Sequence, residues 1–216
     1  MASIQRIDDL NRPQHAHLRE DDFCYYFHEY IPTGGSAPQY YSAASQLIIN
    51  FKIKPSENHR LHHKRDALNK CVKDFREALL PRLDVLGHGS ISFVPVPPSK
   101  MKGNPLYDDR VLRLARKVAE GTSIQVAELI VQSESYMPSH LASGSGGARI
   151  QPSDLRRLYT LSGDVPRSNV FVFDDVITAG SHFRACKDLL LESHPNIRVF
   201  GIFIARRSLS GSAEIG

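Results

Sequence analysis

The segment Asn169–Leu190, NVFVFDDVITAGSHFRACKDLL, runs a hydrophobic strand into two acids, then a short turn, then an amphipathic helix. At the carboxyl end of a parallel strand that order builds an anion site. Gly180 permits a tight turn, successive backbone N–H groups point inward, and the helix adds the positive end of its dipole. Thr178 and Ser181 can donate their hydroxyls to a phosphate, and Ala179 and His182 complete the loop. If His182 reaches that phosphate, affinity should rise as the imidazole protonates, at about pH 6.5 for an unperturbed ring. Asp174 and Asp175 cannot face the same phosphate; they need hydroxyls or a cation. A sugar phosphate satisfies both halves, with ribose hydroxyls on the carboxylates and the 5′-phosphate in the loop. The plain alternative is a glycine-containing strand-to-helix turn with an acidic N-cap.

Other clusters carry less. From Ser56 to Arg82 the bases Arg60, Lys64, Arg65, Lys70, Lys73, Arg76 and Arg82 outnumber the acids Glu57, Asp66, Asp74 and Glu77. Such a patch could meet nucleic acid, or it is a solvated helix face. His59, His62 and His63 lie close together with Asp66, but no standard metal-ligand set is complete, so they read as a surface run. Cys186 reads as core packing. Arg206-Arg207 could grip a base, a diphosphate or a partner subunit, or simply end a strand in solvent.

These residues must be held by a folded frame. The chain has 216 residues with 41% hydrophobic and 23% charged residues, enough for a packed core and against wholesale disorder. No apolar run approaches the roughly 20 residues of a membrane helix, and the polar start MASIQRIDDL lacks a signal peptide's apolar stretch. Cys24, Cys71 and Cys186 show no CxxC spacing, which excludes a zinc ribbon, argues against a disulfide scaffold and fits a cytoplasmic protein. Residues 1–22 read as a loosely attached polar extension. Phe23–Tyr30 is strand-like, and Ser42–Lys54 is a helix or a strand. Leu68, Cys71, Val72, Phe75 and Leu79 recur at helical spacing within Lys64–Leu80. Beyond that, Ile91–Val96, Val126–Val131, Val170–Phe173 and Ile197–Ala205 read as strands. Asp108–Glu120, Asp154–Leu161 and Ser181–Ser193 read as helices, with Gly121 a C-cap after the first. The alternation predicts an α/β fold with a parallel sheet.

DDVITAGS resembles the phosphoribosyl-diphosphate (PRPP) signature of the type I phosphoribosyltransferases, and it is distinct from a nucleoside-triphosphate P-loop because GxxxxGK[ST] is absent. VPVPPSK, with LIINFK upstream and DDVITAG downstream, looks most like the ComF-like branch associated with DNA uptake. The similarity spans about Tyr40 to Ala205. Departures are the missing zinc ribbon, Lys102-Gly103-Asn104 as a partial echo of an Arg-Gly-Phe-Asn-like run, and His182 where a small or hydroxyl residue is typical. Purine-salvage members carry a carboxylate at the place of Thr178, and the Lys/His-rich catalytic loop of orotate-type members is not visible here.

The resemblance implies a type I phosphoribosyltransferase fold, a parallel sheet flanked by helices. Residues 23–216 would form one such domain, divided into a hood over 23–85 and a PRPP-binding core over 86–210. Pro98, Ser99 and Lys100 would contact diphosphate, while Asp174 and Asp175 would hold ribose and, through PRPP, Mg²⁺. Ser133–Pro152, with its ASGSGGAR run, falls where the family carries a flexible loop, so His140 or Arg149 could reach a phosphate; a connector without a catalytic role is the alternative. The implied activity is a pentosyltransferase reaction, moving the 5-phosphoribosyl group from PRPP to a nucleobase-like or other acceptor with release of diphosphate. The other expectation is a non-catalytic PRPP- or nucleotide-sensing or DNA-handling protein that keeps the pocket, alone or as a homodimer or larger assembly.

Overall fold

The computed structural model describes residues 3–31, 42–133, 150–163 and 165–208. In chain order its strands are Gln5–Arg6 (β1), Phe23–Tyr30 (β2), Ile91–Pro95 (β3), Gln125–Val126 (β4), Ile130–Gln132 (β5), Tyr159–Leu161 (β6), Asn169–Ile177 (β7) and Arg198–Arg207 (β8). The helices are Ala43–Phe51 (α1), Leu61–Ala78 (α2), Leu80–Leu83 (α3), Arg110–Ala119 (α4), Pro152–Leu158 (α5) and Ser181–Ser193 (α6). The fold is α/β. Six strands form one sheet in the order β1-β2-β8-β7-β3-β4, parallel throughout except for β1, and β5 pairs with β6 in a separate antiparallel ribbon.

Central parallel strands are covered on both faces, which is why β7 and β8 read as near-continuous apolar runs. On one face Phe93, Phe171, Phe173 and Ile202 meet Phe51 of α1, Leu68 and Phe75 of α2, and Leu114 and Val118 of α4. On the other, Val94, Val170, Val172 and Phe203 meet Leu155 of α5 and Phe183, Cys186 and Leu190 of α6. Each such buried side chain contributes about 1.5–3 kcal/mol. Phe173 is wedged between Phe75 and Phe93, with ring centroids at 5.5 and 4.4 Å. It thereby fixes the strand just ahead of the two acids.

Several expectations need correction. Residues 3–22 are not a loose extension: β1 pairs with β2, and Ile7, His15 and Asp22 are at most 1% exposed. Val126–Val131 is two short strands in different sheets, because the chain leaves the main sheet after Ala127 N–H has bonded Phe93 O at 3.0 Å. The helix read over Asp154–Leu161, with Ser153 or Pro152 near its start, does begin at Pro152, a residue suited to a first turn, but its expected end is the strand β6. β7 runs on to Ile177, so Asp174 and Asp175 lie inside the strand, paired with β8 through Asp174–Phe203 and Val176–Ala205. The stretch read as a hood contributes α1 and α2, which pack on the face of the sheet.

Candidate phosphate-binding site

Strand order alone places a crevice beside the signature. β3 is followed by α4 and then β4 on its outer side, whereas β7 is followed by α6 and then β8 on the opposite side. The two helices cover opposite faces. Neighbouring parallel strands whose connections diverge in this way open a crevice at their carboxyl ends, where α/β proteins bind ligands. The turn after β3 and the turn after β7 both leave into it. Val96 N–H still donates to Phe173 O at 2.8 Å, so Pro98, Ser99 and Lys100, all half-buried, depart beside Asp174.

The turn Thr178–Ser181 has the form of an anion cradle. Gly180 is left-handed at φ 87° and caps α6 with no side-chain bond to the helix N–H groups. Those groups are orphans of helix geometry and must find partners elsewhere. The N–H groups of Ala179, Gly180 and Ser181 donate to nothing among the described residues. The carbonyls of the same turn are engaged, by residues outside it. The His15 imidazole Nδ1 donates to Thr178 O, His17 N–H to Ala179 O at 2.8 Å, and Arg184 N–H to Gly180 O at 2.9 Å. Thr178 is exposed and Ser181 buried.

The acids differ sharply. Asp175 shares the parity of Phe171 and Phe173 and therefore faces the α1 and α4 side. There Arg110 reaches one carboxylate oxygen through Nε at 3.0 Å and Nη2 at 2.6 Å, and Lys52 Nζ lies 3.0 Å from the other. Burial alone would raise its pKa, but the two cations hold it far below the ordinary carboxylate range. Among the described residues Asp174 has no such partner. Its Oδ1 accepts the Asp175 N–H at 2.7 Å, and burial together with the Asp175 charge pushes its pKa up. The pair thus splits into a fixed anion and a carboxyl poised to give up a proton.

His182 does not supply the expected pH lever. Its Nδ1 is 2.7 Å from the hydroxyl of the buried Tyr159, and desolvation pushes its pKa down to about 4. The ring is neutral at physiological pH. His140 and Arg149 lie outside the described residues, as does most of the Ser133–Pro152 loop.

The basic segment is not a free cationic face. Lys64 is buried, bonded to Asp108 and to Ile53 O, each at 2.6 Å. Arg76 donates to the carbonyls of Lys117, Val118 and Glu120 at the C-terminal end of α4, and Arg82 donates to Ala78 O. Arg60, Arg65, Lys70 and Lys73 pair with Glu57, Asp66, Asp74 and Glu77. Arg206 is turned inward onto Glu29 and Gln14. His59, His62 and His63 are exposed, and among the described residues no three His, Cys, Asp or Glu side chains gather as a metal cage. Cys186 is buried.

Sequence reasoning missed Lys52, Arg110 and His15. Lys52 ends the LIINFK run and Arg110 opens the helix after the β3 turn, so both sat inside segments already singled out. His15 gave no signal at all. No protein-family model matches the chain, and no curated protein matches it significantly.

Proposed function

We propose that the chain binds PRPP and transfers its 5-phosphoribosyl group to an acceptor, as a phosphoribosyltransferase of type I fold. The observation that carries this is the row of three amides, Ala179 to Ser181, unengaged among the described residues, at the start of α6 and just beyond the two acids of β7. A monoester phosphate fits the amides, and ribose hydroxyls fit Asp174, which faces away from the Arg110 and Lys52 that hold Asp175. Lys52 and Arg110 offset the charge of the acids, so a polyanion can approach. Asp174 is the carboxylate with capacity to spare for ribose hydroxyls, and the Ser99 and Lys100 amides with the Lys100 ammonium suit diphosphate, Pro98 contributing only its fixed backbone.

The oxygen-rich ligand suits Mg²⁺, which takes few protein ligands and would lie mainly on PRPP oxygens with Asp174 beside it, neutralising the departing diphosphate. Positioning and charge stabilisation are then the protein's contribution, and no covalent nucleophile is required. The sensing alternative uses the same pocket without turnover. Incubation with PRPP, Mg²⁺ and a panel of nucleobases separates them: diphosphate release gives the enzyme, and saturable PRPP binding without release gives the sensor. Absence of PRPP binding overturns both.

Asp174 supplies a sharper test. Its raised pKa means that it favours folding when protonated, and that this contribution is lost as pH rises through the raised value. Asp174→Asn removes the unfavourable charge, so the variant should melt about 2–4 °C above wild type at about pH 8 and level with it at about pH 4. The same variant should bind PRPP–Mg²⁺ about 10–100-fold more weakly, because a hydrogen bond to a charged group contributes roughly 1.5–3 kcal/mol. Wild-type affinity should climb between about pH 5 and about pH 8, since binding hydroxyls requires the ionised form. Unchanged affinity in Asp174→Asn removes Asp174 from the site.

A further inference from the structure

The turn after β7 is gripped from behind by a segment remote in sequence. His15, fully buried, donates through Nδ1 to Thr178 O; His17 N–H donates to Ala179 O; and Leu18 covers Gly180, its Cδ2 standing 3.1 Å from where a Cβ would be. Further on, Arg184 Nε reaches His17 O at 3.3 Å, and Asp22 ties the same segment to Arg184 and Lys187 of α6. The strap and the phosphate turn are one unit.

The peptide group is planar and trans, so the carbonyl of one residue and the N–H of the next point in opposite directions. Anchoring Thr178 O fixes Ala179 N–H away from the strap, and anchoring Ala179 O does the same for Gly180 N–H. The helical bond from Arg184 to Gly180 O sets Ser181 N–H off the end of α6. A carbonyl can only accept, so His15 must carry its proton on Nδ1, and its buried Nε2 has no hydrogen-bond partner among the described residues. A buried ring nitrogen left unpaired is a cost that the carbonyl contact offsets.

We infer that His15 is a positioning residue for the anion cradle: by holding the Thr178 carbonyl it aims the Ala179 amide, and with His17 the Gly180 amide, at the bound phosphate. Preorganised amides lose nothing to reorientation when the ligand arrives, which is how fixed dipoles outperform water. The inference rests on the phosphate-site reading above. It adds that the site's donor geometry is set by residues 15–18 as much as by the signature itself.

The test uses the full chain with inorganic phosphate and, separately, with PRPP and Mg²⁺. Affinity is followed by calorimetry and by the amide resonances of Ala179, Gly180 and Ser181. Asparagine places its amide N–H near the position of imidazole Nδ1, whereas phenylalanine fills the space and donates nothing. His15→Asn should stay within about threefold of wild type, and His15→Phe should lose about tenfold or more for both ligands, a loss of about 1.4 kcal/mol. The Ala179 amide resonance should move in free His15→Phe and not in His15→Asn. His15→Ala, which opens space instead of filling it, carries the same test where the larger ring is not accommodated. Wild-type affinity in a folded His15→Phe or His15→Ala, or equal losses in His15→Asn, would overturn the inference while leaving the phosphate site standing. A wild-type protein that binds neither ligand overturns the site and the inference together.

Discussion

Gly180→Val is expected to fold with reduced stability and to lose PRPP affinity by about 100-fold or more. Two independent effects add at this position. The residue sits at φ 87°, a region that costs an ordinary L-residue roughly 1–2 kcal/mol and is rarer still for a β-branched one. An added Cβ would also stand 3.1 Å from Leu18 Cδ2 and 3.2 Å from Leu18 Cγ, and the two methyls of valine reach further. Leu18 can swing aside, but its backbone N at 3.6 Å is held by the bond to His15 O. The chain relieves both strains by rotating φ to negative values, and that rotation turns the Gly180 and Ser181 amides out of line. Leu18→Ala in the same background separates the two effects. It should recover stability by relieving contact and recover no affinity, because valine still disfavours the positive φ that aims the amides. Calorimetry with PRPP and Mg²⁺ on wild type and the two variants decides the matter, and wild-type affinity in Gly180→Val would remove the turn from the site.

What could be read from the sequence was local. The helix Ser181–Ser193 follows directly from a glycine that can turn left-handed and from apolar residues at helical spacing, and both are properties of adjacent residues. The same holds for α2, whose buried Leu68, Cys71 and Phe75 recur at three and four. Boundaries slipped where a tertiary partner decided them. β7 outlasts its apolar run because Asp175 is neutralised by Lys52 and Arg110, which lets two acids remain inside a covered strand. Nothing local to Asp175 foretells a lysine just past the end of α1 and an arginine at the start of α4.

Lys64 shows the reverse error. Counted among surface bases, it is buried with Asp108, and Asp108 is shared with Arg110, which binds Asp175. One chain of alternating charge therefore runs from α2 to the carboxyl edge of β7. The N-terminal residues were the least legible. Hydrophobic periodicity registers Ile7, Leu10 and Leu18 as too few to matter, whereas the attachment is made by His15 and Asp22, polar residues whose partners lie more than 160 positions away. Polar anchors leave no periodic trace.

Asp22→Ala should be the most destabilising single change in that segment. The Asp22 side chain is fully buried, with Lys187 Nζ at 2.7 Å from Oδ1 and the Arg19 N–H at 2.7 Å from Oδ2, and Arg184 donates to the same oxygen. Arg184 and Lys187 are only 5% and 8% exposed. Removing one carboxylate leaves two buried cations short of a counter-charge, and breaking such a pair costs about 3–5 kcal/mol. The lower end applies, because Arg184 retains Asp188 and Lys187 retains Asp21. At about 2–4 °C per kcal/mol the melting temperature should fall by about 6–12 °C. The loss is also directional. Asp22 joins the strap to α6, so its removal should open the bond after Arg19 to trypsin before the sheet unfolds, and phosphate affinity should fall with the strap's hold on the turn. Replacing all three charges, Asp22→Leu with Arg184→Met and Lys187→Met, should recover most of the stability, since a packed apolar cluster of similar volume carries no desolvation cost. Limited trypsin digestion beside thermal melts reads both effects, and an Asp22→Ala protein with wild-type melting and wild-type cleavage would show that the strap is held by other means.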